Sequence, residues 1–380
     1  MQNFGQGHLA DIRKTIHSKP ELSGEEYETQ KVIRKELEKL NCHAITEVAT
    51  TGLLVEFKGK KPGKSVLFRG DMDALPIDEI NEFDHRSKNE GVAHTCGHDG
   101  HTAIMLGVAM KLSENPIEFG SVYILFQPSE ENGKGAQMVL DDPHWNNLKI
   151  DYAFSVHNLP GYDMHQIVTK NGPFTASAES MIIKIKGKTS HAAEPEKGRN
   201  PAYLIAKILT KAEELAISDT TSDDFFLITP VFCKFGEKAY GTSAGKGELH
   251  LTFRSWTTKK MKESREELVD YIDKQATEGR FKVKYKLLES FSTNRNSEEA
   301  VALIRDAAKK LELDQNEISE PFKWGEDFGV FTQKFSGAMF GLGAGLKTPA
   351  LHNPDYDFPD ELLDTGVNVF YEIALTATKK

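Results

Sequence analysis

Val32, Ile33, Leu37 and Leu40 recur at helical spacing. They mark the second of two helices that the segment 8–40 predicts, joined by a turn at Pro20 and Gly24. Short apolar runs follow at Gly52 to Phe57 and Ser65 to Arg69, and each suits a strand. Helical spacing returns over 102–113 with Ile104, Leu106, Ala109 and Leu112, and compact apolar strands are predicted at Ser121 to Phe126 and Asp151 to Val156. Strands alternating with helices predict an α/β sheet with helices on its faces. The rhythm changes near residue 174. Ser180 to Lys186 alternates apolar and polar residues, as a half-exposed strand does. A helix at about 201–217, strands at 225–235 and 248–255, a helix at about 259–277 and a strand at 281–288 complete a β-α-β-β-α-β order. That order predicts a small four-stranded α+β domain. After residue 296 a helix resumes with Val301, Ile304 and Ala308 on one face. The pattern therefore predicts a discontinuous first domain, 1–173 and 290–380, interrupted by a second, 174–289.

Composition narrows the function. The chain has 380 residues, which suits two domains. Hydrophobic residues make up 39%, enough for sizeable cores. A formal net charge of −10 opposes a surface for nucleic acid, because phosphates require basic patches. The polar stretch Met1 to Ala10 shows no secretory signal, and no run approaches the roughly 20 apolar residues of a membrane span. Three cysteines, Cys42, Cys96 and Cys233, argue against a disulfide framework and for a reducing compartment, which predicts a cytoplasmic protein.

The densest chemical signal is His94-Thr95-Cys96-Gly97-His98-Asp99-Gly100-His101, placed between a loop and an apolar helix. Thiolate and imidazole are strong ligands for zinc and related metals. Gly97 lets the backbone bend so that Cys96 and His98 can point at one place. A second signal, Gln127-Pro128-Ser129-Glu130-Glu131-Asn132-Gly133, directly follows a predicted strand. Functional residues of α/β sheets gather at the C-terminal ends of strands. Two adjacent carboxylates there can divide the labour, one binding metal and one serving as general base and acid. The third is Arg69-Gly70-Asp71-Met72-Asp73-Ala74-Leu75-Pro76, whose carboxylates could ligate metal, orient a ligand histidine or cap a turn. His157 follows the strand ending at Val156, and His352 lies in a loop between prolines; neither is assigned a role by its position alone.

Taken together these segments resemble the M20 metallopeptidase family, in particular its amidohydrolase branch. Further segments carry the resemblance: Ile16-His17-Ser18-Lys19-Pro20-Glu21-Leu22-Ser23 near the start, and Gly325-Glu326-Asp327-Phe328 near the end. The resemblance implies a metal-dependent exopeptidase-like α/β catalytic domain with an inserted ferredoxin-like α+β domain that serves as lid and dimerisation surface. It implies two divalent metal ions per subunit, zinc or manganese. Cys96 would bridge them, His98 and His157 would complete one site, and Glu131 and His352 the other. Glu130 resembles the general base, and Asp73 the supporting aspartate. Asp71 stands where peptidase relatives carry a ligand histidine, and His98 supplies that ligand here. In the inserted domain Gly187-Lys188-Thr189-Ser190-His191-Ala192-Ala193-Glu194-Pro195 resembles the segment whose histidine reaches a catalytic centre, often the partner subunit's. Arg254 resembles an arginine that holds the substrate carboxylate. Relatives usually carry an asparagine thirteen residues before that arginine, and here the position is Gly241. The implied reaction is hydrolysis of the amide bond of a small N-acyl-amino acid by a metal-activated water. Glu130 would move the proton and His191 stabilise the oxyanion. The alternatives are a dipeptidase of the same fold and a non-catalytic binding protein. The latter has no use for a free carboxylate such as Glu130 beside the metals. The expected partners are the small substrate and a second copy of the chain, with no nucleic acid and no membrane.

Overall fold

The computed structural model of the chain describes residues 6–146 and 148–379; Met1 to Gly5, half of the polar N-terminal stretch, lie outside them. The chain divides into two compact units. The first comprises Met1–Phe174, Asn294–Ser319 and Asp327–Lys380, and the second Thr175–Thr293 and Glu320–Glu326.

The first unit is built on an eight-stranded sheet. From edge to edge its strands are Ala44–Val48, Gly52–Lys58, Phe119–Gln127, Lys61–Asp71, Tyr152–Leu159, Ser336–Gly343, Ile167–Thr169 and Gln315–Glu317. The four central strands, Phe119–Gln127 to Ser336–Gly343, run parallel. Parallel strands are covered on both faces, which is why Val66, Leu67 and Phe68 or Val122, Ile124 and Phe126 read as unbroken apolar runs. Register aligns their C-terminal ends, with Asp71 opposite Gln127 and Arg69 opposite Ser155. The segments that leave those ends carry Asp73, Glu130 and Glu131, and His157 stands among the last residues of strand Tyr152–Leu159 at the same edge of the sheet.

The helices form for local reasons. Glu298–Lys310 has Ser297 as its cap, whose Oγ accepts from Ala300 N. Glu298 and Glu299 in its first turn and Lys309 and Lys310 in its last complement the helix dipole. Helix His98–Glu114 starts four residues before the apolar spacing suggests. Its first turn, His98-Asp99-Gly100-His101, is buried yet polar. Apolar periodicity cannot reveal a turn whose side chains face a polar site.

Several elements of this unit are absent from the sequence-based expectation, among them a central strand and the last helix. Strand Ser336–Gly343 has three glycines and no β-branched residue, so it lacks the usual composition of a strand. Helix Leu362–Ala377 buries Leu362, Leu363, Val367, Val369, Phe370, Ile373 and Ala374. Leu363, Val367, Phe370, Ala374 and Ala377 recur at helical spacing, so this helix is legible in the pattern although the expectation omits it. It crosses His98–Glu114 closely: a Cβ at Gly107 would stand 2.4 Å from Val367 Cγ2, and one at Gly366 2.6 Å from Ile104 Cδ1.

The second unit holds an antiparallel sheet in the order Phe226–Phe235, Lys246–Ser255, Ser177–Lys186, Lys282–Phe291. Met181, Ile183, Ile185, Leu249, Leu251 and Phe253 pack against the helices Ala202–Leu215 and Thr258–Glu278. The alternation read from Ser180 to Lys186 is this two-faced burial. At one end of the sheet a cavity of about 1050 Å³ is lined by Lys184, Lys186, Lys246, Lys282, Lys284 and Phe232, and it contains none of the ligand-type residues singled out above. Among the described residues no helix is long and apolar enough to cross a membrane.

Candidate metal centre

Cys96, His98, His157, Glu131 and His352 come from four separate parts of the first unit and converge. The donor atoms of Cys96, His98 and His157 lie within 4.8 Å of one another, and so do those of Cys96, Glu131 and His352. Cys96 is thus common to two trios. Its Sγ is 3.6 Å from His157 Nε2. Glu131 Oε1 is 3.8 Å from His98 Nε2 and 3.8 Å from His352 Nε2. Ligands bonded at about 2.0–2.3 Å to a tetrahedral ion stand roughly 3.3–3.8 Å apart, so these separations suit a cation between them.

Backbone geometry puts the donors there. Gly97 has φ +89°, and a Cβ on it would meet Asn158 Oδ1 at 2.6 Å, so the turn between Cys96 and His98 admits only glycine without displacement. Ser129, just before the two glutamates, and His352 also have positive φ, +59° and +64°. Such strained positions persist where the surroundings over-determine them. The His352 loop is pinned by its backbone N–H, which donates to Thr95 O at 2.8 Å.

Hydrogen bonds set the ring orientations. His98 Nδ1 donates to Asp73 O at 3.0 Å, and His157 Nδ1 donates to Asn158 O at 2.9 Å. Each leaves the lone pair on Nε2 turned toward the other donors, the arrangement of ligand imidazoles. Asp73 Oδ2 accepts from Ser23 Oγ at 2.6 Å and from Glu131 N at 3.0 Å, and Oδ1 is 3.3 Å from His98 Nδ1. Asp73 therefore holds the imidazole of one candidate ligand through its carbonyl and the backbone of another through its carboxylate. Glu130 is 5% exposed, accepts from Asp327 N at 3.2 Å, and groups with His98 and Glu131 within the same 4.8 Å limit.

The electrostatics suit a cation, although, against the lowering effect of burial, Asp71 and Cys96 raise the His98 imidazole well above its ordinary value. Burial pushes the Cys96 thiol well up, and the Glu131 carboxylate adds to the effect. Burial likewise raises Glu131 to about 7, eased by His98 and worsened by Asp73. Burial lowers His157 to about 3, so its imidazole is neutral. The buried His98 Nε2 and Glu131 Oε1 have no hydrogen-bond partner. Unpaired buried polar atoms are costly, and a divalent ion is the partner that satisfies a thiolate, a carboxylate and two imidazole lone pairs at once. The residues present fit two such ions.

Several contributors carry no assignment from the sequence. His101, one turn after His98, places Nδ1 2.6 Å from Asp71 Oδ1 and Nε2 2.6 Å from Asn158 Oδ1. Its i, i+3 spacing from His98 on a helix is the signal that could have found it. Asp71 is turned to His101 and Arg69, and its Oδ1 is 3.8 Å from His98 Nε2. His191 and Arg254 belong to the second unit. His191 lies on the exposed two-residue strand Ser190–His191, opposite Thr242, and its Nδ1 accepts from Ala193 N at 3.1 Å. The carbonyl of Gly241 accepts from Ala192 N beside the same two-stranded pairing. Arg254 is half-buried on Lys246–Ser255 and donates to Phe253 O at 2.9 Å.

Several known proteins are similar over nearly the whole chain. A hippurate hydrolase of Campylobacter jejuni is 28% identical over 98% of this chain and 97% of its own length. An N-acetylcysteine deacetylase of Bacillus subtilis is 29% identical over 97% and 96%. The crystal structure of a dinuclear metal-binding peptidase of the M20 family from Bacillus subtilis superposes with a TM-score of 0.84 at 27% identity, covering 98% of each chain. The profile of Peptidase family M20/M25/M40 matches residues 67–376, a span that runs from the strand carrying Arg69 and Asp71 into the last helix, and the chain belongs to that family.

Proposed function

We propose that this protein is a metal-dependent amidohydrolase that releases the amino acid and the acyl group from N-acyl-amino acids. The observation that carries the reading is the pair of ligand trios sharing Cys96, with the buried carboxylate of Glu130 beside them. The relatives named above, hydrolases of hippurate and N-acetylcysteine, support the substrate class.

Cys96, His98 and His157 would hold one divalent ion and Cys96, Glu131 and His352 the second. Bound there, the ions supply Lewis acidity toward an amide carbonyl and lower the pKa of water. The thiolate favours zinc, and the histidine and carboxylate donors also admit manganese. Glu130 takes a proton from the attacking water and delivers it to the nitrogen that leaves as the amine. Asp73 keeps His98 and Glu131 in place through the contacts described above. To His191 we assign a hydrogen bond to the oxyanion, and to Arg254 the pairing of its guanidinium with the substrate carboxylate. The Thr175–Thr293 unit is assigned as lid and dimer surface, and the compartment as the cytoplasm.

A substrate panel tests the reading. Metal-reconstituted protein is given N-acetyl- and N-benzoyl-amino acids and dipeptides, and free amine is measured. Release from the acyl substrates, with Glu130→Gln losing about 10²–10⁴-fold in turnover at unchanged metal content, is the expected result. Preference for dipeptides would replace it with a dipeptidase of the same fold. Near-normal turnover in metal-loaded Glu130→Gln would remove Glu130 from the reaction.

A further inference from the structure

Arg69 is a fully buried arginine on a central strand, and no step of the reaction proposed above uses it. Its guanidinium reaches three groups. Nε donates to Gln127 Oε1 at 2.9 Å, one terminal nitrogen donates to Asp71 Oδ2, and the other donates to Asp327 Oδ1 at 2.6 Å. Asp327 is equally buried and is densely held. Gln127 Nε2 lies 2.9 Å from both of its carboxylate oxygens, and Ala136 N donates to Oδ2 at 2.8 Å. Its backbone N–H in turn donates to Glu130 Oε1 at 3.2 Å. On the far side of Arg69, Asp71 holds His101 and lies 3.8 Å from His98 Nε2.

Removing charges from water is expensive, and an ion pair that is 0% exposed is a weak source of stability. Its value lies in fixing geometry, because every donor around Asp327 constrains where its backbone amide sits. We propose that Asp327 and Arg69 are positioning residues. Asp327 orients the Glu130 carboxylate through its backbone N–H, and Arg69 ties that amide to the Asp71–His101 side of the centre, so one buried ion pair registers the proton-transfer group against the ligand cluster. The proposal rests on Glu130 being the general base, and a displacement of about 1 Å at a reacting group costs on the order of 10²-fold in rate.

The test is a double-mutant cycle in metal-loaded protein, with an N-acyl-amino acid turned over by the wild type as probe. Asp327→Asn keeps the shape and removes the charge. The expected result is a 10- to 100-fold loss in kcat, KM within about two-fold, and full metal content by elemental analysis. In the Glu130→Gln background the same substitution should add less than about two-fold, because the group it positions is already gone. An equal loss in both backgrounds, or a loss that follows metal content, overturns the proposal. If Asp327→Asn does not fold, Gln127→Leu, which removes the two contacts to Asp327 and the acceptor of Arg69 Nε while leaving both charges, is judged by the same criteria. Should Glu130→Gln itself retain turnover, the failure lies with the base assignment, and the cycle then shows Asp327 acting on some other group.

Discussion

At Cys96 the thiol stands where two groups of donors meet, and burial holds it protonated unless a cation replaces the proton. Cys96→Ser should therefore lower bound metal and turnover together, because a hydroxyl is a far poorer ligand than a thiolate. Elemental analysis of the purified variant decides the matter, and full occupancy of both sites would reject a bridging role. A second residue-scale expectation concerns His17, which is buried beneath the same helix start. Burial pulls its imidazole down, but the Asp99 carboxylate, 2.8 Å from Nδ1, and the Glu79 carboxylate, 3.3 Å from Nε2, outweigh it and raise the pKa to about 9, against opposition from Arg13. A raised folded-state pKa gives stability that is complete below the unfolded value of about 6.5 and lost as pH rises through about 9. The midpoint of thermal unfolding of the wild type should thus fall between pH 7 and pH 10 more steeply than that of His17→Gln. Parallel curves would show that the ion pair contributes nothing to folding.

The helix His98–Glu114 does two tasks, offering His98 and His101 from its first turn and packing its length against Leu362–Ala377. The crossing is close because Gly107 and Gly366 present no side chain to Val367 and Ile104. Gly107→Val should separate the helices or strain their rotamers, at a cost of about 1–3 kcal/mol, the usual penalty of overpacking. Chemical denaturation reads this directly. Because the helix carries candidate ligands, the variant should also bind metal less tightly. A variant with wild-type stability would show that the crossing has slack.

At the scale of the whole molecule, the second unit carries His191, proposed above to contact the oxyanion. His191 sits on an exposed two-residue strand with Gly241 opposite Ala192, far from the ligand cluster in sequence. If it completes the centre of a partner chain, His191→Ala and Glu130→Gln should complement each other when mixed. Each mixed dimer would contain one centre with both defects and one with neither, so activity should recover to about a quarter of wild type from a statistical mixture at equal input. Singly, His191→Ala should lose about 10²–10³-fold in turnover without losing metal. A stable mixed dimer with no recovery would confine His191 to its own chain or to no catalytic role.

The hydrophobic pattern and a handful of polar segments were enough to determine the two kinds of architecture, the alternating α/β part and the β-α-β-β-α-β part, because side-chain burial imposes its period on the local sequence. The same segments named the donor types, since a thiolate, imidazoles and paired carboxylates in Cys96-Gly97-His98 and Glu130-Glu131 have few purposes together. Helix Leu362–Ala377 was legible in its apolar spacing although the expectation omits it, whereas strand Ser336–Gly343 was not legible, because its glycine content hid it. Nor was the network behind the ligands. Arg69 and Asp327 are 258 residues apart, and only the parallel register of the central strands and the packing of the 327 segment bring them to 2.6 Å. His101 meets Asp71 and Asn158 for the same reason. Local sequence carries a residue's chemistry and its backbone preference; the position of one donor relative to another, on which a metal centre depends to within a few tenths of an ångström, is a property of strands and helices packed against each other.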